Sequence, residues 1–244
     1  MDELKFAVIG NPVSHSLSPD IHLFFASQFQ LERYTYNKIK SNENDFERDI
    51  NDFFKNGGVG LNVTVPFKGL AYNLCDELDQ SAGLCKSVNT VLIDSGKLIG
   101  HSTDGQGLID DFLHKEITLE DSKILIIGAG GSAASIISSL LFHGKIKEIS
   151  ILNRTKSNAL KLLDLFETNR LLMHEEGDEY DIVINTTPIS MNVDDIILPP
   201  ELIMNKPICY DLFYDKEKTL FQKWAEKNES TGNYDGLGML IHQA

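Results

Sequence analysis

Cysteine, long apolar runs and positive charge are all scarce in this chain of 244 residues. Its three cysteines, at positions 75, 85 and 209, lack the paired spacings of a disulfide framework or a zinc site, so we predict reduced, structural thiols and no metal. No apolar run approaches the ~18 residues of a membrane helix, which predicts no membrane partner. Residues 1–10 carry two acids where a signal peptide carries bases, and this predicts a cytoplasmic protein.

Basic residues are few: 22 Lys and Arg stand against 36 Asp and Glu, which gives a net charge of −14. So acidic a chain repels polyphosphates at long range, and we predict no nucleic-acid partner. With 42% apolar and 9% aromatic residues, the composition excludes collagen-like, disordered and coiled-coil classes. Because a small anionic ligand would need a cation here, each lysine or arginine in a polar motif is informative.

Short apolar runs alternate with helix-length periodic segments along the chain. This βαβ rhythm predicts an α/β fold with mainly parallel sheets. The predicted strands cover 5–9, 34–39, 59–63, 88–93, 124–127, 148–152, 181–185 and 207–210, with helices over 19–29 and 42–55. The pattern breaks around 94–111, where we place a domain boundary, and a return to the first domain is expected near 232–238.

A glycine-rich turn follows the apolar strand at 124–127 and leads into a helix that Gly144 is expected to end. The turn has the Gly-x-Gly-x-x-Ala pattern of a dinucleotide site. Its residues are Gly128, Ala129, Gly130, Gly131, Ser132 and Ala133. Gly128 would make the tight turn, and the backbone at Gly130 would approach a pyrophosphate at the helix N-terminus. The alternative is a plain strand–turn–helix, since such turns also occur without a cofactor.

The next strand ends in Asn153, Arg154 and Thr155, some 25 positions after Gly128. An NAD site places an acid there to hold the ribose 2′-hydroxyl, and this segment has none. A guanidinium flanked by two short hydrogen-bonding side chains suits a 2′-phosphate, so the sequence predicts NADP. The alternative is that Arg154 is a solvated loop cation.

Serines cluster after the first predicted strand, in the segment 14–19, which leads into a helix. Three serines and the free amides of a helix start form a site for a carboxylate without requiring a cation. The alternative is a helix cap, which would account for Ser18 alone.

A second polar cluster combines amides, hydroxyls and a lysine at strand ends. Asn62 and Thr64 close one predicted strand and Lys68 follows just beyond a proline, an arrangement that is costly unless these groups find partners. Asn89 and Asp104 add an amide and a carboxylate. Together with a nicotinamide domain, these residues predict a centre for carbonyl and alcohol redox chemistry. The alternative for Lys68 is an ordinary surface lysine.

In these motifs the sequence resembles the shikimate dehydrogenase family. The matching segments follow the family's order along the chain: 14–19, 62–68, 87–90, 102–105, 128–131, 153–155, 185–188, 210–214 and 235–240. The resemblance implies an NADP-dependent oxidoreductase that reversibly reduces 3-dehydroshikimate to shikimate, in chorismate and aromatic amino acid biosynthesis. It also implies a small-molecule substrate as partner and a monomer or homodimer.

The resemblance further implies two domains with the active site in the cleft between them. An α/β substrate domain with a mixed, mainly parallel sheet would cover 1–102 and the returning segment 236–244, and a Rossmann-like NADP domain would cover 103–235. Lys68 and Asp104 would be the catalytic pair. The implied substrate-binding residues are Ser16, Ser18, Asn62, Thr64, Lys68, Asn89, Asp104, Tyr214 and Gln243. The implied cofactor-binding residues are Gly128, Ala129, Gly130, Gly131, Ser132, Ala133, Asn153, Arg154, Thr155, Thr187, Leu212 and Gly236.

The sequence departs from the family's pattern at three places. Ser102 stands where the family usually has Asn, and Asn158 stands where many relatives carry a second cation for the 2′-phosphate. The relatives continue with a further helix after the segment that ends in Gln243, so we expect this side chain to be frayed. Two alternative functions are a quinate/shikimate dehydrogenase of broader specificity and a non-catalytic, ligand-sensing relative.

Overall fold

The structure is a computed structural model that describes residues 3–143, 145–191 and 198–244. Gly144, which the sequence analysis expected to end a helix, lies outside these residues. The chain divides into two compact units, Met1–Asp104 with Ala244, and Gly105–Gln243. The segment 236–243 is thus grouped with the second unit, and the predicted functional domains, 1–102 with 236–244 and 103–235, stay a prediction. No helix in the described ranges is long and apolar enough to cross a membrane.

The first unit is an α/β unit built on a mixed sheet. Its elements in chain order are β1 (Leu4–Gly10), α1 (Ser18–Gln28), β2 (Tyr34–Lys40), α2 (Phe46–Lys55), β3 (Gly58–Val63), α3 (Lys68–Leu74), β4 (Glu77–Leu78), α4 (Gln80–Cys85), β5 (Thr90–Asp94) and β6 (Lys97–His101). The strand order is β2-β1-β3-β5-β6-β4, with β1 parallel to β2 and β3, and β5 antiparallel to β3 and β6. The mixed sheet confirms the fold class for this unit.

Apolar side chains cover both faces of the first sheet. On one face, α2 presents Phe46, Ile50 and Phe54 at four-residue intervals, and all three are buried in a core with β1 and β3 residues. On the other face, Tyr36 of β2 packs with Val8 and Val13 in a smaller cluster. Truncation of a buried phenylalanine of this kind costs about 3–5 kcal/mol.

The polar segments lie at one edge of this sheet, where β3 and β6 end and β5 begins. Asn62 at the end of β3 lies opposite Thr90 at the start of antiparallel β5, and Thr90 in turn lies opposite His101 at the end of β6. The chain therefore leaves β3, enters β5 and leaves β6 at the same edge. This register explains why the polar groups at 62–68, at 89 and at 104 meet although they are distant in sequence.

The second unit has the doubly wound architecture of a dinucleotide-binding domain. Its elements are α5 (Asp104–His114), β7 (Lys123–Ile127), α6 (Gly131–His143), β8 (Glu148–Leu152), α7 (Lys156–Phe166), β9 (Leu171–Met173), β10 (Ile182–Asn185), 3₁₀ helices Pro188–Met191 and Pro200–Ile203, β11 (Ile208–Asp211), α8 (Leu220–Lys227), β12 (Gly232–Tyr234) and α9 (Leu237–His242). All described pairs in the order β12-β11-β10-β7-β8-β9 are parallel. This confirms the Rossmann-like prediction.

The region 94–111, where the sequence pattern breaks, contains two different features. Asp94 pairs with Lys97 across a two-residue hairpin in which Ser95 and Gly96 have φ of 50° and 80°. Two residues with positive φ match the right-handed twist of the paired strands. The hairpin therefore lies inside the first sheet, and the division between the units falls later, after Asp104.

Candidate active site

The first unit contains an ion pair that is almost fully withdrawn from water. Lys68 begins α3 and Asp104 begins α5, and the Lys68 Nζ lies 2.6 Å from the Asp104 Oδ2. The two side chains are only 12% and 7% exposed. The alternative of an ordinary surface lysine is therefore wrong. A buried ammonium held by a carboxylate is a proton donor of fixed position, as acid–base chemistry requires.

Asn89 holds the other oxygen of the Asp104 carboxylate. Its Nδ2 donates to Asp104 Oδ1 at 3.3 Å and to Thr103 Oγ1 at 2.8 Å. The Thr103 amide donates back to Asn89 Oδ1 at 2.8 Å. Because each carboxylate oxygen has its own donor, the orientation of Asp104 toward Lys68 is defined. Thr103 was not among the predicted site residues, although it lies next to Asp104 in the sequence.

Asn62 and Thr64 stand at the end of β3, on the same edge. The Asn62 Nδ2 donates to Thr90 Oγ1 at 3.1 Å and to the Asn89 carbonyl at 3.4 Å. The Thr64 amide donates a hydrogen bond to the Ile9 carbonyl. The Thr64 side chain packs closely on Gly10, where an added Cβ would lie 2.2 Å from Thr64 Cγ2. Four of the predicted substrate residues, Asn62, Lys68, Asn89 and Asp104, are thus joined by direct hydrogen bonds.

Ser16 and Ser18 form a separate buried pair at the start of α1. The Ser16 Oγ lies 3.1 Å from the Ser18 Oγ and accepts a 3.3 Å hydrogen bond from the Ser18 amide. The residue at the N-cap position is Leu17, and no side-chain hydrogen bond caps this helix. The helix-cap alternative for Ser18 is therefore wrong. Two buried hydroxyls at a helix start suit the oxygens of a carboxylate ligand.

In the second unit, the glycine-rich turn has the geometry that its sequence predicts. Gly128 has φ of +116°, and a Cβ there would lie 2.3 Å from Thr186 Oγ1, so the turn requires glycine. A Cβ at Gly130 would meet nothing within 4 Å. Ser132 and Ala133 lie in the first turn of α6, which Gly131 begins. The open backbone at Gly130 and the N-terminus of α6 fit a pyrophosphate.

Arg154 stands in the segment that follows β8. Asn153 Nδ2 donates to the Thr155 carbonyl at 2.8 Å, and Thr155 is the N-cap residue of α7 without using its side chain as a cap. Arg154 is exposed and forms no salt bridge with a residue in the described parts of the chain. An exposed guanidinium beside two hydrogen-bonding side chains fits the 2′-phosphate of NADP.

Thr187, Leu212 and Gly236 follow the ends of β10, β11 and β12, at the carboxyl edge of the second sheet. Thr187 Oγ1 donates to Asn185 Oδ1 at 2.6 Å, and the Leu212 amide donates to the Asn185 carbonyl at 2.9 Å. A Cβ at Gly236 would lie 2.1 Å from the Leu212 carbonyl oxygen, so the two backbones approach as closely as glycine allows. Ligands of doubly wound sheets bind at this edge.

Tyr214 and Gln243, two predicted substrate residues, belong to the second unit. The Tyr214 ring stacks with Phe213, with centroids 6.1 Å apart. The Gln243 amide donates to the Met239 carbonyl, and a Cβ at Gly107 of α5 would lie 2.7 Å from Gln243 Cβ. The expectation that Gln243 is frayed is wrong, because this residue is half-buried against α5. The substrate roles of both residues stay predictions.

The three cysteines are free thiols. Burial raises the pKa of Cys75 to about 11 and that of Cys209 to about 12, so both stay protonated near neutral pH. Among the residues that the structure describes, no group of three or more His, Cys, Asp or Glu is placed to hold a metal ion.

Two family profiles match the chain in sequence. A shikimate dehydrogenase substrate binding domain matches residues 8–91, and a shikimate / quinate 5-dehydrogenase domain matches residues 112–197. The first match contains Lys68 and Asn89, and the second contains the glycine-rich turn and Arg154. The matched segments therefore include the main features of both units.

Solved structures are similar over almost the whole chain. An Ael1 enzyme from Pseudomonas putida is 32% identical, with a TM-score of 0.86, and the match covers 99% of this chain and 90% of that one. Shikimate 5-dehydrogenase from Thermus thermophilus, in complex with NADP(H) and shikimate, is 29% identical, with a TM-score of 0.86 and coverage of 98% and 90%. Shikimate 5-dehydrogenase from Listeria monocytogenes, in complex with shikimate and NAD, is 27% identical, with a TM-score of 0.82 and coverage of 99% and 89%. This chain therefore belongs to the shikimate dehydrogenase family.

Proposed function

We propose that this protein catalyses the reversible reduction of 3-dehydroshikimate to shikimate with NADPH, a step of chorismate and aromatic amino acid biosynthesis. The observation that carries the proposal is the buried 2.6 Å pair of Lys68 and Asp104. Reduction of a ketone needs a proton at the oxygen that becomes an alkoxide, and this pair offers one from a fixed position. The relative from T. thermophilus, whose structure holds NADP(H) and shikimate, supports the same assignment.

NADPH, when bound, supplies a hydride to the carbonyl carbon of the substrate. The turn at Gly128–Ala133 would hold its pyrophosphate, and Asn153, Arg154 and Thr155 would hold its 2′-phosphate. Thr187, Leu212 and Gly236 would line the site at the carboxyl edge of the sheet. The absence of an acid after β8 supports NADP over NAD. Asn158 brings no second cation, but the neighbouring Lys156 can interact with the phosphate.

The substrate would be held by hydroxyl and amide groups rather than by a dominant cation. Ser16 and Ser18 would bind its carboxylate, with Tyr214 nearby. The ring hydroxyls would be bound by Asn62, Thr64, Asn89, Asp104 and Gln243. A polyol needs many directional partners, and the hydrogen-bonded edge of the first sheet supports this role.

In the chemical step, Lys68 would give a proton from Nζ to the oxygen of the former ketone, which becomes the hydroxyl of the product. Asp104 stabilises the ammonium and keeps it aimed at that oxygen. In the oxidation of shikimate, Lys68 would act in its neutral amine form and accept the hydroxyl proton at Nζ. We expect the oligomeric state, a monomer or a homodimer, to leave this step unchanged.

A broader quinate/shikimate dehydrogenase is the second candidate. The profile that matches residues 112–197 is described as shikimate / quinate 5-dehydrogenase, and this description names both substrates. The structure of the L. monocytogenes relative holds NAD, so the cofactors of this second candidate would include NAD. A non-catalytic, ligand-sensing role is disfavoured because Lys68 and Asp104 are both present and paired.

The decisive experiment follows nicotinamide absorbance with shikimate or quinate and NADP or NAD, in all four combinations. Turnover of shikimate with NADP, at least about tenfold faster than the other three, is expected. Comparable rates with quinate would favour the second candidate. If all four combinations fail with folded protein that binds NADP, the proposed activity is wrong.

A further inference from the structure

Tyr36 lies in the middle of β2, a strand that contributes none of the predicted site residues. The side chain is buried, with 6% of the residue exposed. Its hydroxyl donates to Asn62 Oδ1 at 2.6 Å, across 26 positions in sequence. Asn62 is one of the residues expected to bind the substrate ring, so this contact connects β2 to the substrate site.

The neighbours of Asn62 determine the positions of its amide nitrogen and its amide oxygen. The Asn62 Nδ2 faces the Asn89 carbonyl at 3.4 Å and Thr90 Oγ1 at 3.1 Å. A carbonyl oxygen only accepts hydrogen bonds, so the amide nitrogen must point toward Asn89. The amide oxygen then faces Tyr36, and the phenol must donate to it. A half-turn rotation of the Asn62 amide would place its Oδ1 against the Asn89 carbonyl oxygen, and two acceptors cannot form a hydrogen bond.

The Tyr36 ring is itself held by neighbouring side chains. His22 of α1 stacks on it with a centroid separation of 4.5 Å and an interplanar angle of 15°. Val8 and Val13 pack around it in the same cluster. A ring fixed in this way presents its hydroxyl at one position, so the hydrogen bond to Asn62 needs little further ordering.

The contact also connects to the catalytic pair. The Asn89 carbonyl accepts from the Val63 amide at 2.7 Å as well as from Asn62. The side chain of Asn89 donates to Asp104, which holds Lys68. Hydrogen-bonded residues therefore connect Tyr36 to Lys68 through Asn62, the backbone and side chain of Asn89, and Asp104.

We propose that Tyr36 is a positioning residue for substrate binding: its hydroxyl sets the orientation of the Asn62 amide before the substrate arrives. The inference rests on the proposed function, in which Asn62 binds a ring hydroxyl. Without the phenol oxygen, the Asn62 amide oxygen loses its donor, and only the contacts of Nδ2 with Asn89 and Thr90 remain. The amide then samples a wider range of orientations, which the substrate must narrow on binding. Affinity for the substrate falls, whereas the cofactor site in the second unit keeps its own contacts.

The test uses Tyr36→Phe, which removes one oxygen and keeps the ring. Tyr34→Phe is the matched control, because Tyr34 lies two residues earlier in β2 with its ring stacked on Phe6 at 4.9 Å. We expect Tyr36→Phe to raise the KM for shikimate about 3- to 10-fold, the range of one hydrogen bond. We expect kcat to change by less than about 3-fold and the KM for NADP to stay within about 2-fold, as in Tyr34→Phe.

A second comparison asks whether Tyr36 acts through Asn62. In an Asn62→Ala background, Tyr36→Phe should raise the KM for shikimate by less than about 2-fold, because the group that it positions is gone. The same fold-increase in both backgrounds overturns the inference. The inference is also overturned if Tyr36→Phe and Tyr34→Phe have the same KM for shikimate. A third outcome that overturns it is a rise of both the shikimate KM and the NADP KM in Tyr36→Phe, accompanied by a lower midpoint of thermal unfolding.

The outcome for the wild-type protein separates this inference from the proposed function. If the wild type does not oxidise shikimate, the proposed function fails, whatever the variants do. The contact itself is then tested by the side-chain amide resonances of Asn62 in nitrogen-15 spectra, assigned by their loss in Asn62→Asp. Resonances that Tyr36→Phe shifts and Tyr34→Phe leaves in place support the positioning contact. Resonances that neither variant shifts overturn it.

Discussion

The two sheets offer different parts of the chain to the ligands that we propose for them. At the edge of the first sheet, charged and amide side chains are hydrogen-bonded to one another, with Lys68 and Asp104 at the centre. At the carboxyl edge of the second sheet, glycines bring the backbone close, and Gly130 is open to space. A ring with several hydroxyls requires individual side chains, whereas a pyrophosphate is recognised by amides that almost every residue has. We therefore expect the site at the first sheet to lose function when single side chains are removed, and the site at the second sheet to lose function when atoms are added.

The largest effect that we expect is that of Lys68→Ala on catalysis. Removal of the positioned proton donor should lower kcat about 10²- to 10⁴-fold, with a smaller effect on KM, in shikimate oxidation with NADP. Lys97→Ala is the control, because Lys97 forms an exposed pair with Glu77. NADP binding, which relies on the second unit, should persist in both variants. A Lys68→Ala variant with wild-type kcat would show that this lysine has no acid–base role.

The second edge should respond to an added methyl group instead. Gly128→Ala places a Cβ on Thr186 in a backbone conformation with positive φ, so strain and overpacking add. We expect a loss of about 2–4 kcal/mol in the free energy of unfolding and weaker NADP binding. Gly177 also has positive φ but no atom within 4 Å of a built Cβ. Gly177→Ala should cost only about 1 kcal/mol in denaturant unfolding and leave NADP binding unchanged. Equal losses in both variants would contradict the close approach at Gly128.

Arg154 is the exception that sharpens the comparison, since it is a single side chain at the backbone-lined edge. We expect Arg154→Ala to raise the KM for NADP about tenfold and to leave the KM for NAD nearly unchanged, because only NADP carries the 2′-phosphate. Lys161→Ala, in the helix that follows and also exposed, is the control. Equal effects on both cofactors would indicate a structural role for the arginine.

The smallest effect concerns pH and the first unit. Burial lowers the pKa of His22 below the ordinary value of 6.5, so the folded state binds this proton less readily than the unfolded chain. Stability should therefore be fully present above pH 6.5 and fall as the pH drops from 6.5 toward the lowered value. His22→Phe keeps an aromatic ring against Tyr36 and should flatten the dependence of the thermal unfolding midpoint on pH between about 7.5 and 5.5. The exposed His143→Gln should keep the wild-type dependence, and an identical dependence in His22→Phe would contradict the assignment.

The sequence predicted the long strands well because their burial leaves a clear pattern. β7 and β10 are buried almost throughout, and the predicted runs 124–127 and 181–185 match them within a residue. β4, β9 and β12 were not predicted, since strands of two or three residues are too short for periodicity to show. β6 was missed because its five residues follow a hairpin turn that we interpreted as a boundary.

Most of the site residues in motifs were predicted, with Thr103 as an exception, whereas Tyr36, which lies outside the motifs, was not predicted. Lys68, Asn89 and Asp104 stand in recognisable segments, and the structure brings them together. Tyr36 belongs to no motif, and its pairing with Asn62 depends on the register of β1 between β2 and β3. The sequence holds one available signal, a polar aromatic residue at an inward position of a strand. The packing of Gln243 on Gly107 likewise depends on how two helices meet, which local sequence does not specify.

In the proposed reaction, the burial of the Lys68–Asp104 pair would also govern how the protein returns to its starting state after each turnover. Once Lys68 had given up its proton, Asp104, whose side chain is only 7% exposed, would face a neutral amine. A carboxylate without a cation in such surroundings is costly, so the proposed cycle would require a proton from solvent at this amine before the next ketone binds. In the proposed cycle the same pair would therefore perform two tasks: it would deliver a proton during reduction, and its electrostatic imbalance afterwards would favour the return to the paired state.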